Sequence, residues 1–389
     1  MDLISSFAHH FGKQPTLLSR APGRVNLLGE HVDYNDGLVL PVAIDRTVRL
    51  AAAPSGDDIV SLFAIDFGEQ VSFKLSELDA KVDLQGQPLP GWALYPAGVA
   101  WALNADGLSV SGMQAAYTSD VPVGAGLSSS AAVDVVFSIT WQAIGAWEAD
   151  RMRLARLCQL GDNQYVGIAC GLMDQFASAH GQEGHALYFD TRSLDWEAIP
   201  LPSDVSIVIA DSGIRRALVD SEYNERRASC EKAVELLRQY KADIQSLRDI
   251  SPQEFAAYCE FLPPVIRQRA EHVVKEIARV RSAVVALRLN EKESFGALMY
   301  SGHASLRDLY QVSTPELDAL VEIARGLSGC YGARLTGAGF GGCTVNLVDE
   351  SHAPKFMRDI EDAYLRQVGQ LAQVYLCRAS AGACLEWLS

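Results

Sequence analysis

The first fifty residues alternate in polarity. Val25 and Leu27, then Leu38, Leu40 and Val42, stand at every second position on either side of a polar stretch from Glu30 to Gly37. A period of two predicts strands whose alternate side chains share a face, and Asn35-Asp36-Gly37 predicts the turn between them. Residues 113–117 read as another strand, followed by a proline- and glycine-rich loop from Asp120 to Gly126. Small residues and valines without a breaker before Gly145 predict a buried helix over 127–146, and the compact apolar run 205–210 a buried strand. Residues 221–240 have an amphipathic helical pattern. Val273, Ile277, Val280, Val284 and Leu287 are spaced 4, 3, 4, 3, which is helical. Residues 344–348 predict a strand and 353–371 a helix. Strands and helices mix without strict alternation, so the fold class expected is α+β rather than a doubly wound sheet. The texture turns to polar loops and short strands between Ala177 and Pro202. In a chain of 389 residues this predicts two domains, 1–180 and 181–389.

Charge narrows the function. Lysine plus arginine number 33 against 48 acids, a net charge of −15. A nucleic-acid binder needs a basic footprint and a membrane-surface protein a polybasic one, so neither partner is expected. Eight cysteines without paired or zinc spacing read as reduced thiols in a cytoplasmic enzyme. The N-terminus has no continuous apolar core of a signal peptide, and the best apolar run, 131–139, is short and holds Asp134. No heptad or apolar patch encodes an oligomer, and a monomer is expected.

Four segments carry candidate chemistry. Pro122-Val123-Gly124-Ala125-Gly126-Leu127-Ser128-Ser129-Ser130 leads into the buried helix. Glycines allow close backbone approach, and a helix N-terminus offers N–H groups to an anion; an ordinary loop ending in a serine-capped helix reads the same way. It is not a Walker A loop, and no lysine occurs between Lys81 and Lys232. A triphosphate held here would rely on amides, hydroxyls and Mg²⁺. A second glycine-dense loop, residues 332–343, precedes a strand. It suits a tight turn as well as a ligand, but two such loops suggest convergence on one ligand. Gly29-Glu30-His31-Val32-Asp33-Tyr34 gathers side chains suited to sugar hydroxyls, or forms a solvated hairpin tip. Asp174, among apolar neighbours in Cys170–Phe176, is either hydrogen-bonded in the core or a catalytic carboxylate. Arg24 is the cation to pair with it, and would keep it charged as a base for a hydroxyl proton must be.

The run Gly23-Arg24-Val25-Asn26-Leu27-Leu28-Gly29-Glu30-His31-Val32-Asp33-Tyr34-Asn35-Asp36-Gly37 closely resembles the galactokinase signature. Residues 122–130 and 335–343 resemble the second and third motifs of the superfamily that joins galactokinases with homoserine, mevalonate and phosphomevalonate kinases. Trp92 to Tyr95, Ser221 to Asn224, His272 to Val274, Ser305 to Asp308 and Pro315 to Asp318 are similar as well, so the likeness spans nearly the whole chain.

The resemblance implies a two-lobed α+β small-molecule kinase with its active site between the lobes. Such an enzyme transfers the ATP γ-phosphate to the C1 hydroxyl of galactose, giving α-galactose 1-phosphate. It implies Asp174 as general base beside Arg24, and Glu30, His31, Asp33, Gly171 and Tyr223 as sugar contacts. Gly124, Gly126, Leu127, Ser128 and Ser129 would form the phosphate loop, and Trp92 and Tyr95 would lie near adenine. Ser130 is the implied Mg²⁺ ligand, with Asp162 where relatives carry a glutamate that binds metal. Ala125 replaces a usual glycine, Asp211-Ser212-Gly213 an asparagine-rich stretch and Arg216 a frequent histidine. A sibling kinase for arabinose, galacturonate or N-acetylgalactosamine shares these motifs. Sugar-sensing paralogues without turnover are marked by damage to the second motif, and Ser128-Ser129-Ser130-Ala131 is intact here.

Overall fold

The computed structural model describes residues 2–215 and 219–388; the side chains of 219–221 are not described, so Arg216 and the side chain of Ser221 lie outside the described residues. Three sheets and their covering helices make an α+β architecture. The six-stranded sheet has the order Cys384–Trp387, Leu17–Asn26, Pro41–Pro54, Met113–Ser119, Ile59–Ala64, Glu69–Lys74. Its pairings are antiparallel except that of Ile59–Ala64 with Met113–Ser119. The four-stranded sheet is antiparallel throughout, in the order Cys330–Thr336, Cys343–Asp349, Val205–Asp211, Gln373–Cys377. A three-stranded sheet pairs Leu38–Val39 with His185–Asp190 and Trp196–Pro200.

The expected buried helix runs Ser129–Gly145 and packs on the first two long strands. It starts two residues later than its apolar run, because Ser128 is the left-handed residue before it. The helix expected over 221–240 runs Val219–Leu237, and the 4-3 spacing falls within Pro264–Arg288. The final long helix, Ala353–Val368, stops before Gly369 at φ 80°, short of the expected end because glycine takes the left-handed exit. No described helix is long and apolar enough to cross a membrane, and all eight cysteines are free thiols.

The polar stretch between the first strands is not a solvated hairpin tip. A short 3-10 turn, Asp33–Asn35, closes it, and Glu30, His31, Val32 and Asn35 are buried. What covers them is the helix Pro264–Arg288 and the strand Cys330–Thr336 from the second half of the chain. The hairpin therefore lies between the two halves.

Candidate active site

The site begins at an irregularity in a strand. Leu17–Asn26 shifts register between Pro22 and Arg24, and such a bulge bends a strand and re-aims a side chain. A Cβ on Gly23 would lie 2.7 Å from the Leu127 carbonyl oxygen. The Arg24 amide donates to that same carbonyl at 3.1 Å. The strand is thus docked directly on the phosphate-loop candidate. From there Arg24 Nε and Nη2 donate to the two oxygens of Asp174 at 2.8 and 2.7 Å, while Nη1 donates to the Gly126 carbonyl at 2.6 Å. The planar guanidinium fits this two-pronged geometry. Ser128 Oγ donates to Asp174 Oδ2 at 2.5 Å, from a residue held in the left-handed region at φ 57°. Strain of that kind persists where surrounding contacts fix it, often at functional sites. Asp174 lies in the first turn of Met173–His180, whose N-terminal dipole also favours a negative charge.

Around this pair lies a cavity of about 160 Å³, lined by Arg24, Glu30, His31, Asp33, Gly171, Asp174, Tyr223 and Ala338 among others. The residues implied as sugar contacts all meet here. Gly171 is required by contact: a Cβ there would fall 1.9 Å from Asp33 Oδ2. Burial pushes the Asp33 carboxyl up to about 6, with the nearby Asp174 charge adding to the effect. Burial pushes Glu30 up to about 7 against the opposing pull of Arg334 and Arg24. Arg334 Nη2 comes within 2.5 Å of Glu30 Oε2, but off the hydrogen-bond direction, so both Glu30 oxygens remain without a directed donor. An incoming hydroxyl would satisfy them.

His31 lines this cavity as well, with its ring nitrogens engaged by the protein. Its Nε2 contacts the Ala338 carbonyl at 3.0 Å and its Nδ1 the Tyr34 hydroxyl at 2.8 Å. A carbonyl only accepts, so Nε2 carries the proton and Nδ1 accepts from Tyr34. The Tyr34 hydroxyl is in turn 2.8 Å from that of Tyr310. Burial holds the imidazole at about 3, so it is neutral. Both ring nitrogens are occupied by protein partners; the ring forms a wall of the cavity and packs against Tyr223 at 5.5 Å.

The two glycine loops do converge. A Cβ on Gly337 would lie 2.7 Å from the Gly126 carbonyl, and one on Gly342 would lie 2.8 Å from the Ala125 carbonyl. The loops therefore touch backbone to backbone, which only residues without side chains permit. Gly124 and Gly126 take φ of 67° and 78°, whereas Ala125 avoids the left-handed region, so an alanine fits. A second cavity, about 520 Å³, opens on this surface and is lined by Val123, Gly124, Gly126, Arg215, Thr336 and residues 338–342. Ala338 lines both cavities. Leu127 is buried. Ser129 and Ser130 sit in the first turn of the helix, half-buried, with no partner for their hydroxyls among the described residues.

Arg215 was not singled out from sequence. Its guanidinium forks Asp211 at 2.9 and 2.6 Å, and its Nε would lie 3.3 Å from a Cβ on Gly124. The nucleotide-sized cavity thus has a cation although no lysine occurs between Lys81 and Lys232. The signal in the sequence is an arginine four residues after Asp211, at the end of the strand Val205–Asp211. Trp92 and Tyr95 lie on the helix Gly91–Ala105. Trp92 Nε1 donates to Glu69 at 2.6 Å and its ring tilts against Tyr117 at 6.0 Å; neither residue lines the two cavities above.

Asp162 begins a π-helical turn, Gly161–Val166, and is buried. Its Oδ2 accepts from Gln175 Nε2 at 2.8 Å, and its carboxylate also accepts a hydrogen bond from the protonated Asp134 side chain. Burial pushes this carboxyl up to about 6, and Asp134, one helical turn after Ser130, is pushed well above the usual range by burial and by Asp162. Among the described residues no three His, Cys, Asp or Glu side chains gather as a metal cage. A carboxylate already hydrogen-bonded to Gln175 and Asp134 and the Ser130 hydroxyl fit Mg²⁺ only if phosphates and water supply most of the ligands, as is usual for this ion.

Comparison with known proteins identifies the family. Residues 5–54 match the galactokinase galactose-binding signature, 95–182 the N-terminal domain of GHMP kinases and 283–366 their C-terminal domain. A galactokinase from Roseiflexus sp. (strain RS-1) is 45% identical over 381 residues, covering 98% of this chain and 96% of the relative. The Homo sapiens galactokinase is 40% identical over 383 residues, covering 97% and 94%. The crystal structure of Lactococcus lactis galactokinase complexed with galactose superposes with a TM-score of 0.93, at 33% identity and 98% coverage of both chains. A mevalonate kinase structure shares the fold at a TM-score of 0.62 and 18% identity, covering 93% of this chain and 98% of that one.

Proposed function

Because the chain belongs to the galactokinase family, we propose that its ATP-dependent phosphorylation of galactose takes place where Asp174, Arg24 and Ser128 meet. The observation that carries this reading is the clamp on Asp174: two prongs from Arg24 and one hydroxyl from Ser128, at the neck between the smaller cavity and the glycine loops. Galactose occupies the smaller cavity, with Glu30 and Asp33 as acceptors for its hydroxyls and Gly171 and Tyr223 forming walls. Its C1 hydroxyl meets Asp174, which takes the proton as the γ-phosphoryl group arrives. Arg24 holds the base by two hydrogen bonds and stands beside the developing charge. On the other side, loop amides near Gly124 and Gly126 and the N-terminus of Ser129–Gly145 hold the phosphates. Arg215 exchanges its contact with Asp211 for a phosphate oxygen. Ser130 and Asp162 are the residues to hold Mg²⁺, which when bound neutralises phosphate charge. Residues 1–180 supply the hairpin and the phosphate loop and 181–389 the third motif. In this reading the enzyme works as a cytoplasmic monomer without nucleic-acid or membrane partners.

Acidity should matter at unusually high pH. Burial raises Glu30 to about 7 and Asp33 to about 6, so both lose charge well above the ordinary carboxylate range. For galactose, kcat/KM should fall as pH drops from about 7.5 to 5.5, by roughly tenfold per pH unit while Glu30 alone protonates and more steeply below about 6, where Asp33 protonates too, since this ratio reports the free enzyme. A flat profile across that range would remove these carboxylates from sugar recognition.

A coupled assay over galactose, arabinose, galacturonate and N-acetylgalactosamine tests the substrate assignment. Galactose should give the highest kcat/KM. Galacturonate should be lower by about 100-fold or more, because a further carboxylate would enter a cavity already holding Glu30, Asp33 and Asp174, and like charges placed together cost several kcal/mol. Equal turnover of the uronate would overturn the assignment of these acids to the sugar side.

A further inference from the structure

Behind the sugar cavity lies a chain of four buried charges. Glu30 meets Arg334 at 2.5 Å, Arg334 meets Glu276 at 2.8 Å, and Glu276 pairs with Arg279. Glu30, Arg334 and Glu276 are almost fully buried and Arg279 nearly so. The signs alternate and sum to zero, which makes the burial tolerable. Well-packed apolar side chains would often serve stability equally well or better, so the charges call for another explanation.

The geometry supplies one. Glu276 Oε1 accepts from Arg334 Nη1 at 2.8 Å and from the Gly29 amide at 2.8 Å. One carboxylate therefore fixes both the guanidinium that faces Glu30 and the peptide immediately before Glu30. From the same helix, His272 Nε2 reaches the Glu30 carbonyl at 3.2 Å, while its Nδ1 is 2.8 Å from Ser305 Oγ. Because a carbonyl only accepts, Nε2 is the donor. Gly302 leaves room for this arrangement: a Cβ there would come within 2.7 Å of Arg334 Nη1. Glu30 is thus held before, at and beyond its own backbone, and its carboxylate is met from the rear by a cation that leaves both oxygens without a directed donor.

We propose that Arg334 and Glu276 are positioning residues for sugar recognition: from outside the cavity they hold the Glu30 carboxylate in place, and so set how tightly galactose binds. The proposal rests on the reading of Glu30 as a hydroxyl acceptor given above. Arg334 also lies on Cys330–Thr336, the strand that runs into the third glycine loop, so this anchor is built on the same element as the nucleotide side.

The test is a mutant cycle read by separate KM values for galactose and ATP. Glu30→Gln should raise the galactose KM about 10- to 100-fold, the range for losing a hydrogen bond to a charged group. Arg334→Met should raise it by a similar factor, with the ATP KM within about twofold. The Glu30→Gln/Arg334→Met pair should be no more than about threefold worse than Glu30→Gln alone, because residues acting through one another are not additive. Factors that multiply would overturn the proposal, as would an unchanged galactose KM in Arg334→Met. Should Arg334→Met fail to fold, Arg334→Lys and Glu276→Gln carry the test: each should raise the galactose KM about 5- to 20-fold, by weakening that same bond, with kcat within about threefold, and no change in either overturns it. If Glu30→Gln leaves the galactose KM unmoved, it is the sugar-contact role of Glu30 that fails, and the positioning role falls with it.

Discussion

Asp174→Asn lowers kcat by about 10²- to 10⁴-fold while the KM for ATP stays within a few-fold, the size expected when a general base is lost. The amide keeps the shape of the side chain and can still accept from Ser128, but it cannot take up a proton. It also replaces one of the two oxygens that Arg24 grips. The nucleotide surface formed by the glycine loops does not include Asp174, which is why ATP binding is spared. Steady-state kinetics with each substrate varied in turn, together with ATP affinity by calorimetry, checks this result. Near-normal turnover would remove the base and leave alignment and electrostatics as the source of rate, a workable route for a loose phosphoryl-transfer transition state.

Arg24→Lys, conservative in charge, should cost about 10²-fold or more in kcat. Arg24 makes three directed contacts at once, two to Asp174 and one to the Gly126 carbonyl. A lysine ammonium cannot reproduce a planar fork, so Asp174 and the phosphate loop lose their fixed relation. Misplacing a reacting group by about 1 Å is enough for a loss of this size. The check is kcat beside the thermal midpoint. A large loss of turnover with a small change in midpoint supports the positioning argument, whereas a proportionate loss of both would reduce Arg24 to a structural role.

Some of the site was legible in the sequence because the physics is local. A lone carboxylate among apolar residues needs a partner, and Arg24 was the cation in reach; the structure joins them through two prongs. Two glycine-dense loops in one chain suggested a shared ligand, and their backbones touch. Helical periods placed the main helices, with ends displaced where Ser128 and Gly369 take left-handed conformations. What was not legible depends on tertiary contact. The hairpin pattern cannot show that Arg334, some three hundred residues away, buries Glu30, nor that His31 spends both nitrogens on Tyr34 and Ala338. The shift of register at Gly23, which aims Arg24, leaves no trace in an alternating pattern. Nor does the return of Cys384–Trp387 to the edge of the N-terminal sheet.

The central claim is that ATP phosphorylates galactose at C1 while the clamped Asp174 takes the hydroxyl proton. Its most direct test is phosphorus and proton NMR of the product formed by purified wild-type and Asp174→Asn protein with galactose, ATP and Mg²⁺. The account predicts α-galactose 1-phosphate from the wild type, and the same product at about one hundredth of the rate or less from the variant. Phosphate on another hydroxyl, or an undiminished rate in Asp174→Asn, would contradict it.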